Sequence, residues 1–156
     1  MVGSIASVLI CQNSEKKDKG KWMWRHKSLG LLSGMLLGPR FAARIVSKSP
    51  GMLPGSSPLE HVAAKASHYA LYAFMTCMPV TGIAMGYYGG KGLPFFWTTI
   101  PGAEKAQGAI AKQAFWWHKN VGYYGKFLVP VHVGASGLHA IRGQSIFARI
   151  NPFSAR

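Results

Sequence analysis

From Ala66 to Tyr88 the chain runs 23 positions without an Asp, Glu, Lys or Arg. About 20 apolar residues are needed to cross the hydrocarbon of a bilayer. A chain that contains such a run inside 156 residues has few folds open to it. Backbone polar groups in lipid must be satisfied within the segment, so the run is expected to be a membrane helix opening at Glu60 or His61. Pro79 lies in its middle and is expected to bend it.

Two further crossings are read around that run. Trp22–Val46 has an apolar centre, SLGLLSGMLLG, and two tryptophans at its start that suit a membrane interface. His118–Ile141 is the other. Between the first two lies Ser47–Pro58 (SKSPGMLPGSSP), rich in Pro and Gly and therefore a loop. Between the last two lies Gly89–Ala114, in which GGKGLPFFWTTIPG reads as an aromatic interfacial loop. AEKAQGAIAKQAFWW reads as a short amphipathic interfacial helix that runs into the third span. The expected fold is all-α and integral to the membrane. Residues 1–21 form an N-terminal interfacial segment with a charged, flexible approach (EKKDKGK), 22–152 the membrane domain and 153–156 a tail.

Charge narrows the partners. There are 18 Lys and Arg against 4 Asp and Glu, yet only 14% of residues are charged. Such an excess suits nucleic acid or anionic lipid. Here the basic residues lie in flanks and loops rather than on one soluble face, which favours the lipid bilayer and argues against nucleic acid. Cys11 and Cys77 form no CxxC or CxxCH, which excludes covalent c-type haem and a zinc ribbon. Cys77 is read as a small packing residue.

The histidines carry the chemistry. His118 and His132 are 14 residues apart, about 40° short of four full helical turns and about 21 Å along the axis. With antiparallel spans, His26 and His118 fall at one level, and His68 and His132 at another. Arg40 repeats the 14-residue spacing after His26 and so lies near the second level. A pair of imidazoles from two helices suits the two axial positions of a haem iron. A zinc site would want three or four ligands at one level. A metal cluster would want grouped carboxylates or thiolates, and Glu60 is the nearest acidic residue. Haem b is therefore the expected cofactor. Gly30 and Gly122 each follow a level-one histidine by four, where a missing side chain leaves room for a flat macrocycle. Gly30, Gly34 and Gly38 equally form a small-xxx-small helix contact. Arg40 and Arg44 need anionic partners in lipid, and haem propionates would serve. His61 is read as solvated, and His139 as interfacial rather than a ligand.

These stretches resemble the bacterial-type cytochrome b561 family, related to the cytochrome b subunits of Ni,Fe hydrogenases. The likeness covers Trp22 to Pro152. It rests on RHKSLGLL at Arg25–Leu32 with Arg40 and Arg44 downstream, SHYALY and MPVTGIAM within Ser67–Met85, and GLPFF at Gly92–Phe96. It also rests on WHKNVGYYG at Trp117–Gly125, PVHVGASGLH at Pro130–His139 and RINP at Arg149–Pro152. The resemblance implies a four-helix bundle that holds two b-type haems and exchanges electrons with membrane quinone. It implies His26 and His118 as the ligands of one haem and His132 as one ligand of the other. That haem's second ligand lies on the family's first helix, which has no counterpart here, since Met1–Cys11 is short and lacks histidine. The second haem is then absent, completed by His68, or completed by a partner subunit. The function implied is a quinone-linked b-type cytochrome. The alternative is a non-catalytic accessory subunit of a larger respiratory or photosynthetic membrane complex. A basic chain with a poor presequence fits the mitochondrial inner membrane, with a bacterial membrane or thylakoid as other settings.

Overall fold

The computed structural model describes residues 1–47, 55–144 and 146. The expected loop lies largely outside them, at 48–54, as does most of the basic C-terminal ending with RINP. In chain order the elements are α1 (Val2–Asn13), α2 (Lys16–Val46), α3 (Pro58–Tyr88), β1 (Leu93–Phe95), β2 (Thr98–Ile100), α4 (Gly108–Gly125) and α5 (Leu128–Ile141).

Helices α2 and α3 are 31 residues each, and both are long and apolar enough to span a membrane. Only 6% and 11% of their apolar windows are buried within the chain. A core helix of a water-soluble protein would bury most of that surface, so lipid is the natural cover. Helix α3 opens two residues before the expected Glu60. Ser57 caps it, accepting from the Glu60 N–H at 3.2 Å, while Glu60 Oε2 accepts from the Ser57 N–H at 2.9 Å. Pro58 sits in the first turn, where its missing N–H costs nothing. Further along, Pro79 is buried against Gly34 of α2. A Cβ on Gly34 would stand 3.0 Å from that of Pro79, so the helices meet there through a missing side chain.

The expected third crossing is two helices rather than one, and among the described residues only α2 and α3 are long and apolar enough to span a membrane. Segments α4 and α5 meet at Lys126–Phe127, both with helical backbone angles. The cause is Pro130, which has no N–H for the Lys126 carbonyl and whose ring crowds it. The expected interfacial helix is the first part of α4 itself and begins at Gly108, not Ala103. Both pieces pack on α3. An Arg142–Glu60 ion pair at 3.5 Å places the end of α5 beside the start of α3. The chain thus turns back on itself as the antiparallel reading requires.

The N-terminal part is more ordered than expected. The charged approach from Lys16 onward belongs to α2, because unbranched lysine stems are good helix formers and Asp18 suits the first turn. Helix α1 lies antiparallel along the first half of α2. Gly3 meets Leu29, Ser4 meets His26, and Cys11 Sγ donates to the Lys19 carbonyl at 3.4 Å.

The aromatic loop is a two-stranded hairpin, with Phe95 opposite Thr98 and Phe96–Trp97 at its tip. Phe96 has φ of 50°, a rare value for a bulky residue. Two bonds to α2 hold it. The Phe96 N–H donates to Ser28 Oγ at 2.9 Å, and Trp24 Nε1 donates to the Phe96 carbonyl at 2.6 Å. Ser28 is only 1% exposed, the most buried side chain among the described residues.

Candidate functional site

Helix register and antiparallel packing bring four of the six histidines into two pairs. His26 on α2 and His118 on α4 have ring centroids 6.0 Å apart, with planes crossed at 77°. His68 on α3 and His132 on α5 have centroids 5.2 Å apart, crossed at 61°. These are the two levels expected from the spacing. Among the described residues no three His, Cys, Asp or Glu side chains gather, so the donor sets are pairs.

The first pair is half-buried and held from outside. His26 Nδ1 lies 2.9 Å from the Ser4 carbonyl oxygen and 3.0 Å from Ser4 Oγ, both on α1. Ser4 Oγ in turn donates to the His26 carbonyl at 3.2 Å. His118 Nδ1 lies 3.0 Å from Thr81 Oγ1 on α3. The His118 ring sits over Gly82, where a Cβ would come within 3.2 Å of Cε1. Three residues therefore seat this pair that the sequence reading did not single out: Ser4, Thr81 and Gly82. A hydroxyl next to a glycine inside an apolar run was the available signal for Thr81 and Gly82. Ser4 carries no such signal, since only the packing of α1 brings it to His26.

The second pair lacks such support. His68 is exposed and His132 half-buried. Among the described residues no side chain or carbonyl hydrogen-bonds to either imidazole. Arg40 and Arg44 are exposed on the second half of α2. The Arg40 guanidinium lies 6.0 Å from the Tyr72 ring centroid, against which Phe41 stacks at 5.4 Å. Neither arginine has an acidic partner among the described residues.

The remaining residues fall as follows. Gly30 faces Ser4 Oγ, 3.8 Å from where its Cβ would be. Gly122 faces the Met78 methyl at 3.1 Å. Gly38 faces open space, so in the Gly30–Gly34–Gly38 series it is Gly34 that makes the α2–α3 contact. His139 Nδ1 is bonded to Gln144 Oε1 at the end of α5, and His61 is half-buried near the start of α3. Cys77 is half-buried within α3.

With this geometry in hand, likeness to known proteins is informative. A family model described as prokaryotic cytochrome b561 matches residues 1–152. The chain is similar to cytochrome b561 homolog 2 of Escherichia coli (strain K12), at 36% identity over 96 residues, covering 58% of this chain and 51% of that protein. It is similar to the probable superoxide oxidase CybB of Yersinia pestis, at 26% identity, covering 73% and 65%. A third relative is cytochrome b561 homolog 1 of Escherichia coli (strain K12), at 27% identity with the same coverage. The chain thus spans between half and about two thirds of the length of these relatives. All three are bacterial, so the mitochondrial inner membrane expected from composition is not supported. Basic residues report an anionic membrane surface, which many membranes share. The accessory-subunit alternative likewise gains nothing from these relatives, which are two cytochrome b561 homologs and a probable oxidase.

Proposed function

The chain belongs to the prokaryotic cytochrome b561 family, and from that premise we propose that it is a b-type cytochrome of the bacterial inner membrane that transfers electrons, with a membrane quinone as donor or acceptor. The observation that carries the reading is the His26–His118 pair. A bond from a metal to an imidazole nitrogen is about 2.0–2.1 Å. Adding about 1.1 Å from nitrogen to ring centre on each side, an ion shared by two imidazoles would set their centroids about 6.2–6.4 Å apart, close to the first pair. The first pair stands at 6.0 Å.

In this reading His26 and His118 hold the iron of one haem b through one nitrogen each. Haem, when bound, supplies one-electron redox chemistry within the bilayer. His68 and His132 stand at 5.2 Å and would have to part by about 1.1 Å to do the same. They are the pair for a second haem. Arg40 and Arg44 lie on that half of α2 and offer charge to anionic propionates. Gly30 and Gly122 keep the α2 and α4 faces low beside the first pair. Of their neighbours, Met78 has a flexible unbranched chain able to yield to a macrocycle. The apolar surfaces of α2 and α3 take up lipid.

The test is a reduced-minus-oxidised visible spectrum of the chain purified in detergent. A b-type band is expected, one that survives His68→Ala and is lost or halved in His118→Leu. No band in the wild type sinks the haem reading. A band that quinol cannot reduce removes the quinone from it.

A further inference from the structure

The hydrogen bonds behind the first pair decide more than position. A carbonyl oxygen only accepts, so at 2.9 Å from the Ser4 carbonyl His26 Nδ1 must carry the proton. The Ser4 hydroxyl proton is directed to the His26 carbonyl, which leaves Oγ as a second acceptor for the same Nδ1–H. The Thr81 hydroxyl has one proton, and its shortest bond, 2.6 Å, gives that proton to the Cys77 carbonyl of the preceding turn. Toward His118 Nδ1, at 3.0 Å, Thr81 Oγ1 is therefore the acceptor. These contacts suit an Nδ1–H tautomer at both imidazoles, in which Nε2 keeps its lone pair.

We propose that Ser4 and Thr81 are positioning residues of the first pair: each accepts the Nδ1 proton of its histidine and so presents Nε2 as the atom that binds iron. The proposal rests on the haem reading above for the identity of the metal, but the hydrogen bonds to Ser4 and Thr81 stand without it. Gly82 completes the device by leaving the space in which the His118 ring is held. Partners of this kind orient the ligand and raise its basicity, which favours the more positive ferric ion. Removing the Thr81 acceptor should then favour the ferrous state.

The experiment is a potentiometric titration of the haem-loaded full chain as wild type, Thr81→Val and Thr81→Ser, reading only the component that His118→Leu removes. Thr81→Val, which keeps the shape and loses the acceptor, is expected to shift the ferrous-to-ferric ratio about tenfold, a rise in midpoint of about 59 mV for one electron. Thr81→Ser is expected to restore the wild-type value. Haem lost from Thr81→Val and kept by Thr81→Ser also supports the proposal. An unchanged midpoint in Thr81→Val, or haem lost equally from both variants, overturns it. A second readout uses ¹⁵N-histidine spectra of the chain without haem. His118 as Nδ1–H in the wild type, and His26 as Nδ1–H in both wild type and Ser4→Ala, are expected. An Nε2–H signal for either wild-type histidine overturns that residue's part. A wild type that binds no haem but shows both Nδ1–H signals refutes the function reading and leaves the positioning intact.

Discussion

At the first level each imidazole is gripped from behind by a neighbouring helix, Ser4 of α1 behind His26 and Thr81 of α3 behind His118. At the second level two imidazoles 5.2 Å apart face each other with no such grip among the described residues. Sequence spacing alone treats the levels as equivalent, since each supplies one histidine from the third crossing and one from an earlier span. The difference arises from what stands outside the pair. Helix α1 runs beside only the first half of α2, and the hairpin is bonded to that same half through Trp24 and Ser28. Helix α5, which carries His132, lies beyond the break at Lys126–Phe127. A pair of rings is thus only as defined as the elements behind it.

The largest expected break in this comparison comes from the histidines themselves. His118→Leu should abolish first-level haem outright, whereas His132→Leu should leave it untouched. Haem-to-protein ratios of the two variants, measured side by side, check the contrast. Next comes Gly82→Ala, which puts a methyl 3.2 Å from His118 Cε1 and pushes the ring off its seat. Haem retention at the first level should fall on the order of tenfold, the lower end for a disturbed outer-shell contact. Transfer of haem to an apoglobin acceptor reads it, and His68→Ala should show no such loss. A smaller change is expected from Arg40→Gln, since Arg40 is exposed on the second half of α2, away from the first pair. Second-level retention should weaken by less than about fivefold, the ceiling for an exposed charge contact. The first-level midpoint should stay put. Smallest of all is Arg142→Gln. The pair with Glu60 is solvent-exposed, so thermal unfolding in detergent followed by circular dichroism should not move measurably.

Much of this architecture could be read from residues. A charge-free run, a 14-residue histidine spacing and antiparallel connectivity were enough to predict which rings would meet. Those features depend on helix period and bilayer thickness, both general. The seat behind the rings was not legible, because it depends on contacts between distant segments. Ser4 and His26 are 22 residues apart, and Thr81 and His118 are 37. Nothing local in MVGSIAS marks Ser4 as a histidine partner. The break at Lys126–Phe127 was available in principle, since Pro130 disrupts any helix four residues upstream, yet an apolar run in lipid is read as unbroken by default. The hairpin was hidden for another reason. Its strands are three residues each, and its tip conformation at Phe96 is one that no propensity favours.

Ser28 has a consequence in time as well as in space. Its hydroxyl accepts from the Phe96 N–H, 68 residues further along the chain. At about 5–20 residues per second of synthesis, that partner emerges roughly 3–14 s after Ser28 itself. During the interval the serine lacks both of its hairpin partners, the Phe96 N–H and the Pro94 carbonyl. Closure of the hairpin is therefore a late event in biogenesis, and a nascent chain stopped before Phe96 must carry α2 with this hydroxyl still waiting for its final partner.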